Sequence, residues 1–333
     1  MMTNQMSQSL AETYEQYFKI GAAINADTLA RDEKLLATQF NSLTAENDMK
    51  WEIIHPEKDR YDFEIADTYV AFARENKMAF RGHTLVWHNQ TPDWVFEDDQ
   101  GNPVDRDTLI ERMYDHIETV MTRYKDDVLV WDVVNEVIED HEDYLLRQSK
   151  WLEIIGEDFI ELAYKHAMKV NPKAKLFYND YHATVPKKRE KIKELITRLQ
   201  QNGVRIDGIG LQGHWNIKHP HNEEIREALA FYSEMDLEIH ITEMDVSVFE
   251  TDDKRTDLKE PLPGMIDEQA QRYKEIFSIF REFKGDLTSV TFWGVTDYYT
   301  WLDHFVGKER STWPLLFNKD SSPKKAYDEV INF

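Results

Sequence analysis

Short apolar runs rich in β-branched and aromatic residues recur eight times along the chain, and amphipathic helical patterns lie between them. The runs are Phe18 to Asn25, Phe40 to Asn47, Ala79 to His88, Val128 to Glu136, Lys175 to Tyr181, Gly208 to His214, Glu238 to Val246 and Ser289 to Asp297. They are too short for helices, and their near-continuous apolar character is that of parallel strands buried on both faces. Helical periodicity marks Ile65 to Asn76, Leu109 to Tyr124, Trp151 to Val170 and Glu268 to Phe283. Strand-then-helix alternation repeated eight times predicts an α/β fold, a closed (β/α)8 TIM barrel. An open doubly wound sheet fits less well, because no Gly-rich phosphate loop follows the first run.

The length of 333 residues suits one such barrel, which takes about 250 residues plus insertions. No Pro/Gly/Ser-rich linker or charge block divides the chain. The expectation is therefore one domain over 1–333, with 1–12 a flexible N-terminal segment. The polar stretches Glu250 to Gly264 and Tyr298 to Ser322 are predicted as long loops over the catalytic face of the barrel.

With 40 basic and 63 acidic residues the formal charge is −23, a field that opposes nucleic acid and anionic membranes as partners. There is no cysteine, which excludes disulfides, thiol catalysis and cysteine-ligated zinc. Residues Met1 to Leu10 have neither a basic segment nor an apolar core of signal-peptide type, and no stretch approaches the ~20 apolar residues of a membrane span. A soluble, cytoplasmic protein is expected. Its oligomeric state is not legible.

Two runs end in glutamate: Trp131 to Glu136, and Ile239 to Asp245 through Glu243. An ionised carboxylate at the end of a buried strand is costly unless it is paired or used. Either Glu alone can be a structural ion-pair partner. Two on distant strands are the equipment for cleaving a glycosidic bond. Asn25, Glu46, Asn47, His83 to His88, Asn135, Asn179 to Tyr181, Gln212 to His214, Asp245 and Trp293 also fall at C-terminal strand ends, the face where barrel enzymes build their sites.

Strand alternation puts Glu243 and Asp245 on one side of the seventh strand and Gln212 and His214 on one side of the sixth, so His214 can bridge the two acids. Trp87, Trp293, Trp301 and Trp313 lie in or after strand ends and can offer flat apolar platforms to a sugar. The histidines of His219-Pro220-His221 and the pair His83 and His88 match no helical zinc pattern. No metal and no cofactor is expected.

These segments resemble glycoside hydrolase family 10, the retaining endo-β-1,4-xylanases. The resemblance runs through Gly21, Thr44 to Lys50, Arg81 to His88, Trp131 to Glu136, Gly210 to His214, Ile241 to Val246 and Phe292 to Gly294, and covers the chain from about Tyr14 to Phe333. It implies Glu136 as general acid/base and Glu243 as nucleophile, with His214 and Asp245 supporting the nucleophile and Asn135 contacting a sugar 2-hydroxyl. It implies that Glu46, Asn47, Lys50, His83, Trp87, Gln90 and Gln212 line the glycone subsites, that Trp293 and Trp301 close over them, and that Tyr181 faces the aglycone. Met244 and Tyr298-Tyr299-Thr300 depart from the usual pattern, which bears on the shape of the lid. The implied substrate is a xylo-oligosaccharide. The competing functions are a non-catalytic sugar-binding barrel, a metal-dependent barrel enzyme, and a cellulase or β-xylosidase.

Overall fold

The computed structural model describes residues 8–305 and 310–333. Eight parallel strands close into a barrel: β1 Lys19–Ile24, β2 Ser42–Ala45, β3 Ala79–Gly82, β4 Val128–Asn135, β5 Lys175–Asp180, β6 Gly208–Leu211, β7 Glu238–Ser247 and β8 Leu287–Phe292. Each strand pairs with its sequence neighbour, and β8 returns to β1 through Lys19↔Ser289 to Ala22↔Phe292. Past Gly213, the short extension His214–Asn216 pairs with the far end of β7.

Closure buries both strand faces, which is why the runs read as apolar on both sides. Ile24, Trp131, Val133, Leu176, Ile209, Ile239, Ile241 and Val290 are fully buried, and burying an apolar side chain of this kind contributes about 1.5–3 kcal/mol. The Trp131 ring lies against Gly82 where a Cβ would stand, so glycine is what lets β3 and β4 meet there. The helices begin on side-chain caps: Asn25 accepts from Thr28 N–H at 2.9 Å, and Asp105 from Thr108 N–H at 2.8 Å.

Several boundaries differ from expectation. The third run leaves the barrel at Gly82 instead of continuing to His88. His83 Nδ1 lies 2.9 Å from Asp132 Oδ2, and the chain then rejoins β4 through Leu85 N–H to Asp132 O and Val86 N–H to Val133 O. The expected helix Trp151 to Val170 is two helices, Lys150–Ile154 and Phe159–Val170, broken where Gly156 takes φ +102°. The last run ends at Phe292, before Trp293.

The expected flexible segment 1–12 overlaps a helix at Leu10–Thr13, capped by Ser9, with Leu10 fully buried; residues 1–7 lie outside the described residues. Among the described residues no helix is long and apolar enough to cross a membrane.

Candidate active site

Glu136 follows β4 directly and holds φ +57°. That left-handed turn is secured by its own N–H, which donates to Asn179 O at 3.0 Å, and by Arg147 Nε, which donates to Glu136 O at 2.9 Å. The Glu136 carboxyl accepts from Trp87 Nε1 at 2.9 Å and from Gln212 Nε2 at 2.8 Å. Both donors are neutral.

Glu243, inside β7, is treated differently. Its Oε2 lies 3.0 Å from His214 Nε2, its Oε1 accepts from Asn179 Nδ2 at 3.0 Å, and His83 Nε2 stands 3.8 Å away. His214 Nδ1 lies 2.9 Å from Asp245 Oδ2, which also accepts from Trp301 Nε1 at 2.9 Å. His214 therefore sits between the two acids, where strand alternation places it. Burial opposes a charge on its ring, but Asp245 and Glu243 outweigh it and push the pKa up to about 10. Burial likewise opposes ionisation of Glu243. The His214 hydrogen bond, then the charges of His83, His214 and Lys50, more than offset this and lower its pKa. Glu243 is thus a carboxylate at neutral pH, facing a charged imidazole whose two N–H groups are both engaged.

Asn179 joins the halves of the site. Its backbone carbonyl holds the Glu136 N–H, and its side-chain amide meets those of Glu243 and Asn135 at 3.0 and 2.9 Å. Thr242 Oγ1 donates to Asn179 Oδ1 at 2.6 Å, so the amide cannot turn without losing a bond. Gln212 makes a second link: its amide reaches Glu136, and its carbonyl accepts from Glu243 N–H at 2.8 Å.

Beside the carboxyls lies a polar wall. Lys50 Nζ donates to Asn47 Oδ1 and Gln90 Oε1, both at 3.0 Å, and Gln90 Nε2 donates to Asn47 Oδ1 at 3.1 Å. The same ammonium stands 4.9 Å from the Trp87 ring centroid and 5.9 Å from that of Trp293. Burial lowers the Lys50 pKa, while the charges of Glu243, Glu46 and Glu136 work the other way. Glu46 accepts from Asn25 Nδ2 at 3.0 Å and from the Tyr299 hydroxyl at 3.3 Å. The unusual tyrosine before Trp301 thus ties the loop after β8 to the end of β2.

Trp293 stands edge-on to His83 with centroids 5.5 Å apart, and the Trp301 ring lies 4.7 Å from that of His214. Tyr181 donates its hydroxyl to Asp140 and accepts from Arg147, the residue that holds Glu136 O.

The residues that the resemblance implies for the site are linked to one another by these contacts, and Trp313 is not among them. That ring packs into a separate apolar cluster with Val248, Phe249 and Met265, so it is no sugar platform. The sequence reading placed Asn25 and Asn179 on the catalytic face and Tyr299 in the lid but gave them no role, and it missed the support beneath His83: Asp132, whose carboxylate takes Arg81 Nε at 3.0 Å. A buried Asp inside the apolar run Trp131 to Val134 was the available signal for the last.

The charge on His214 has a consequence for stability. Its pKa rises from the ordinary 6.5 to about 10 on folding. The stabilisation is then complete below about pH 6.5 and is lost as pH climbs through about 10. The denaturation midpoint of the wild type, measured from pH 6 to 10, is expected to fall more steeply with pH than that of His214→Asn. Parallel profiles would disprove the charge assignment.

The family model described as Glycosyl hydrolase family 10 matches residues 9–333. The endo-1,4-beta-xylanase B of Paenibacillus barcinonensis is 48% identical over 323 residues, covering 97% of each chain. The endo-1,4-beta-xylanase of Geobacillus stearothermophilus is 48% identical over 324 residues, covering 97% of this chain and 98% of the relative. Among solved structures, the P. barcinonensis xylanase XynB bound to a conduramine derivative superposes with a TM-score of 0.96 at 47% identity, over 98% of this chain and 99% of that one. A mutant structure in complex with xylotriose gives 0.95 at 48% identity, with coverages of 98% and 99%.

Proposed function

The chain belongs to glycosyl hydrolase family 10, and from that premise we propose that it hydrolyses internal β-1,4-xylosidic bonds of xylo-oligosaccharides through a covalent glycosyl-enzyme intermediate. It is a glycoside hydrolase with endo-1,4-β-xylanase activity. The observation that carries the proposal is the unequal treatment of the carboxyls of two residues that Asn179 holds together. The Glu243 carboxylate is paired with a charged imidazole, whereas the Glu136 carboxyl accepts from the neutral donors Trp87 and Gln212.

In the first displacement a Glu243 oxygen attacks the anomeric carbon, the glycosidic C–O bond breaks, and Glu136 gives its proton to the departing sugar oxygen. In the second, Glu136, now a carboxylate, takes a proton from water. The water oxygen attacks the anomeric carbon and Glu243 leaves. Asp245 and His214 keep the nucleophile ionised, and Asn135 offers its amide to the 2-hydroxyl of the reacting sugar. Glu46, Asn47, Lys50, Gln90 and Gln212 supply hydrogen bonds to the glycone side. Trp87, Trp293 and Trp301 supply ring faces, each contact worth about 1 kcal/mol. Tyr181 lies toward the aglycone. The xylotriose complex of a relative supports the choice of ligand class.

Proton NMR of xylohexaose hydrolysis is expected to show the β-anomer first, at a rate that EDTA leaves unchanged. An α-anomer first, or loss of turnover on chelation, would rule the mechanism out. Xylohexaose is expected to exceed cellohexaose in kcat/KM by at least about tenfold, since the extra hydroxymethyl group must be accommodated at each subsite. A preference for cellohexaose would overturn the substrate class.

A further inference from the structure

Beyond the extension His214–Asn216 the chain turns outward through Ile217 to His221 and enters the helix Asn222–Ser233. Three groups that can ligate a metal stand together at this turn: His219, His221 and Glu224. One ligand atom from each lies within 4.8 Å of the others. The two imidazole centroids are 4.6 Å apart. The His219–Pro220 peptide is cis, and His221 has extended backbone (φ −66°, ψ 158°).

The scaffold under these groups is already ordered. His219 N–H donates to Asn216 Oδ1 at 2.8 Å, and its carbonyl accepts from Asn216 N–H at 3.0 Å. The guanidinium of Arg272, itself 5% exposed, donates to Pro220 O and to Asn222 Oδ1. His221 N–H donates to Glu224 Oε2 at 2.6 Å, which aims that carboxylate at the turn and leaves its other oxygen for a ligand. Little backbone order remains to be imposed on binding.

We propose that His219, His221 and Glu224 form a surface site for a borderline divalent transition cation, with Zn²⁺ as its representative. Two imidazoles and a carboxylate are a donor set such ions accept, with water completing the shell. Tetrahedral zinc with ligands at about 2.0–2.1 Å holds its donor atoms about 3.3 Å apart. His221 holds the Glu224 N–H with one ring nitrogen and has the other for the ion, and rotation of the exposed His219 ring closes the distance. The helix N-terminus disfavours a cation. Glu223 and Glu224 in the first turn, and the net charge of −23, favour one. The site lies outside the catalytic cleft, and its effect is to fasten the segment after His214 to the helix that follows it.

The test uses protein freed of metal with EDTA and then dialysed. Isothermal titration with ZnCl₂ is expected to show one zinc per chain that the double variant His219→Ala/His221→Ala binds at least about 100-fold more weakly. At free zinc 100 times Kd, the Tm of the wild type is expected to rise by about 4 °C. That rise should be absent in the double variant and retained in His141→Ala, which removes an exposed histidine elsewhere. Glu224→Gln keeps an acceptor for the His221 N–H but loses the charge, and is expected to bind about tenfold more weakly. It decides the matter if the double variant fails to fold. Equal zinc binding by the wild type and these variants, or no stoichiometric binding below millimolar zinc, overturns the site.

Discussion

Replacing Glu243 with alanine is expected to lower kcat/KM by roughly 10⁵-fold or more, whatever the leaving group. That corresponds to about 7 kcal/mol of transition-state stabilisation. The size follows from the position of the carboxylate. Held ionised by His214 and aimed by Asn179, it is the group that the proposed mechanism bonds to the anomeric carbon, and Asp245, the other carboxylate near it on β7, is engaged by His214 and Trp301. The fold should survive, because Asp245 still pairs with the His214 ring when Glu243 is gone. Kinetics on aryl xylosides and xylo-oligosaccharides, with circular dichroism to verify folding, checks the point. A loss of less than about 100-fold on any substrate would be incompatible with Glu243 as nucleophile.

Glu136→Ala is expected to behave unequally. General acid catalysis contributes about 10²–10⁴-fold, so xylo-oligosaccharides, whose leaving alcohols need a proton, should lose that much or more. Substrates with activated phenols leave unaided, and their glycosylation step should be nearly spared. The second displacement then becomes limiting, since no base remains to deprotonate water. Added azide needs no base, and it should accelerate turnover and yield β-xylosyl azide. Equal losses on good and poor leaving groups, with no response to azide, would remove Glu136 from the role.

Both variants probe an arrangement that the sequence exposes only in part. Glu136 and Glu243 stand out because each closes or interrupts a buried apolar run. His214 is placed against Glu243 and Asp245 by strand alternation alone. Trp313 looks the same as Trp293 and Trp301 in sequence, as a tryptophan in a loop after the last strand. Its burial with Val248, Phe249 and Met265 depends on how two long loops pack on one another, and no local pattern carries that.

The eightfold alternation of apolar runs and helical patterns determined the barrel, because hydrophobic periodicity is a local property that reports strand, helix and burial directly. It also set which residues reach the C-terminal rim. The tertiary structure alone decided who bonds whom across that rim. Asn179 holds the Glu243 carboxylate with its side chain and the Glu136 N–H with its backbone carbonyl because β5 is registered between β4 and β6, with Asn135↔Asn179 and Asn179↔Gly210 as partners. His83 leaves its strand to meet Asp132, which Arg81 neutralises. Tyr299 returns from the loop after β8 to Glu46 on the neck of β2. Such pairings join residues 44 to 253 positions apart, and they are fixed by barrel closure and strand register, which act on the whole ring of strands and leave no trace in any short segment.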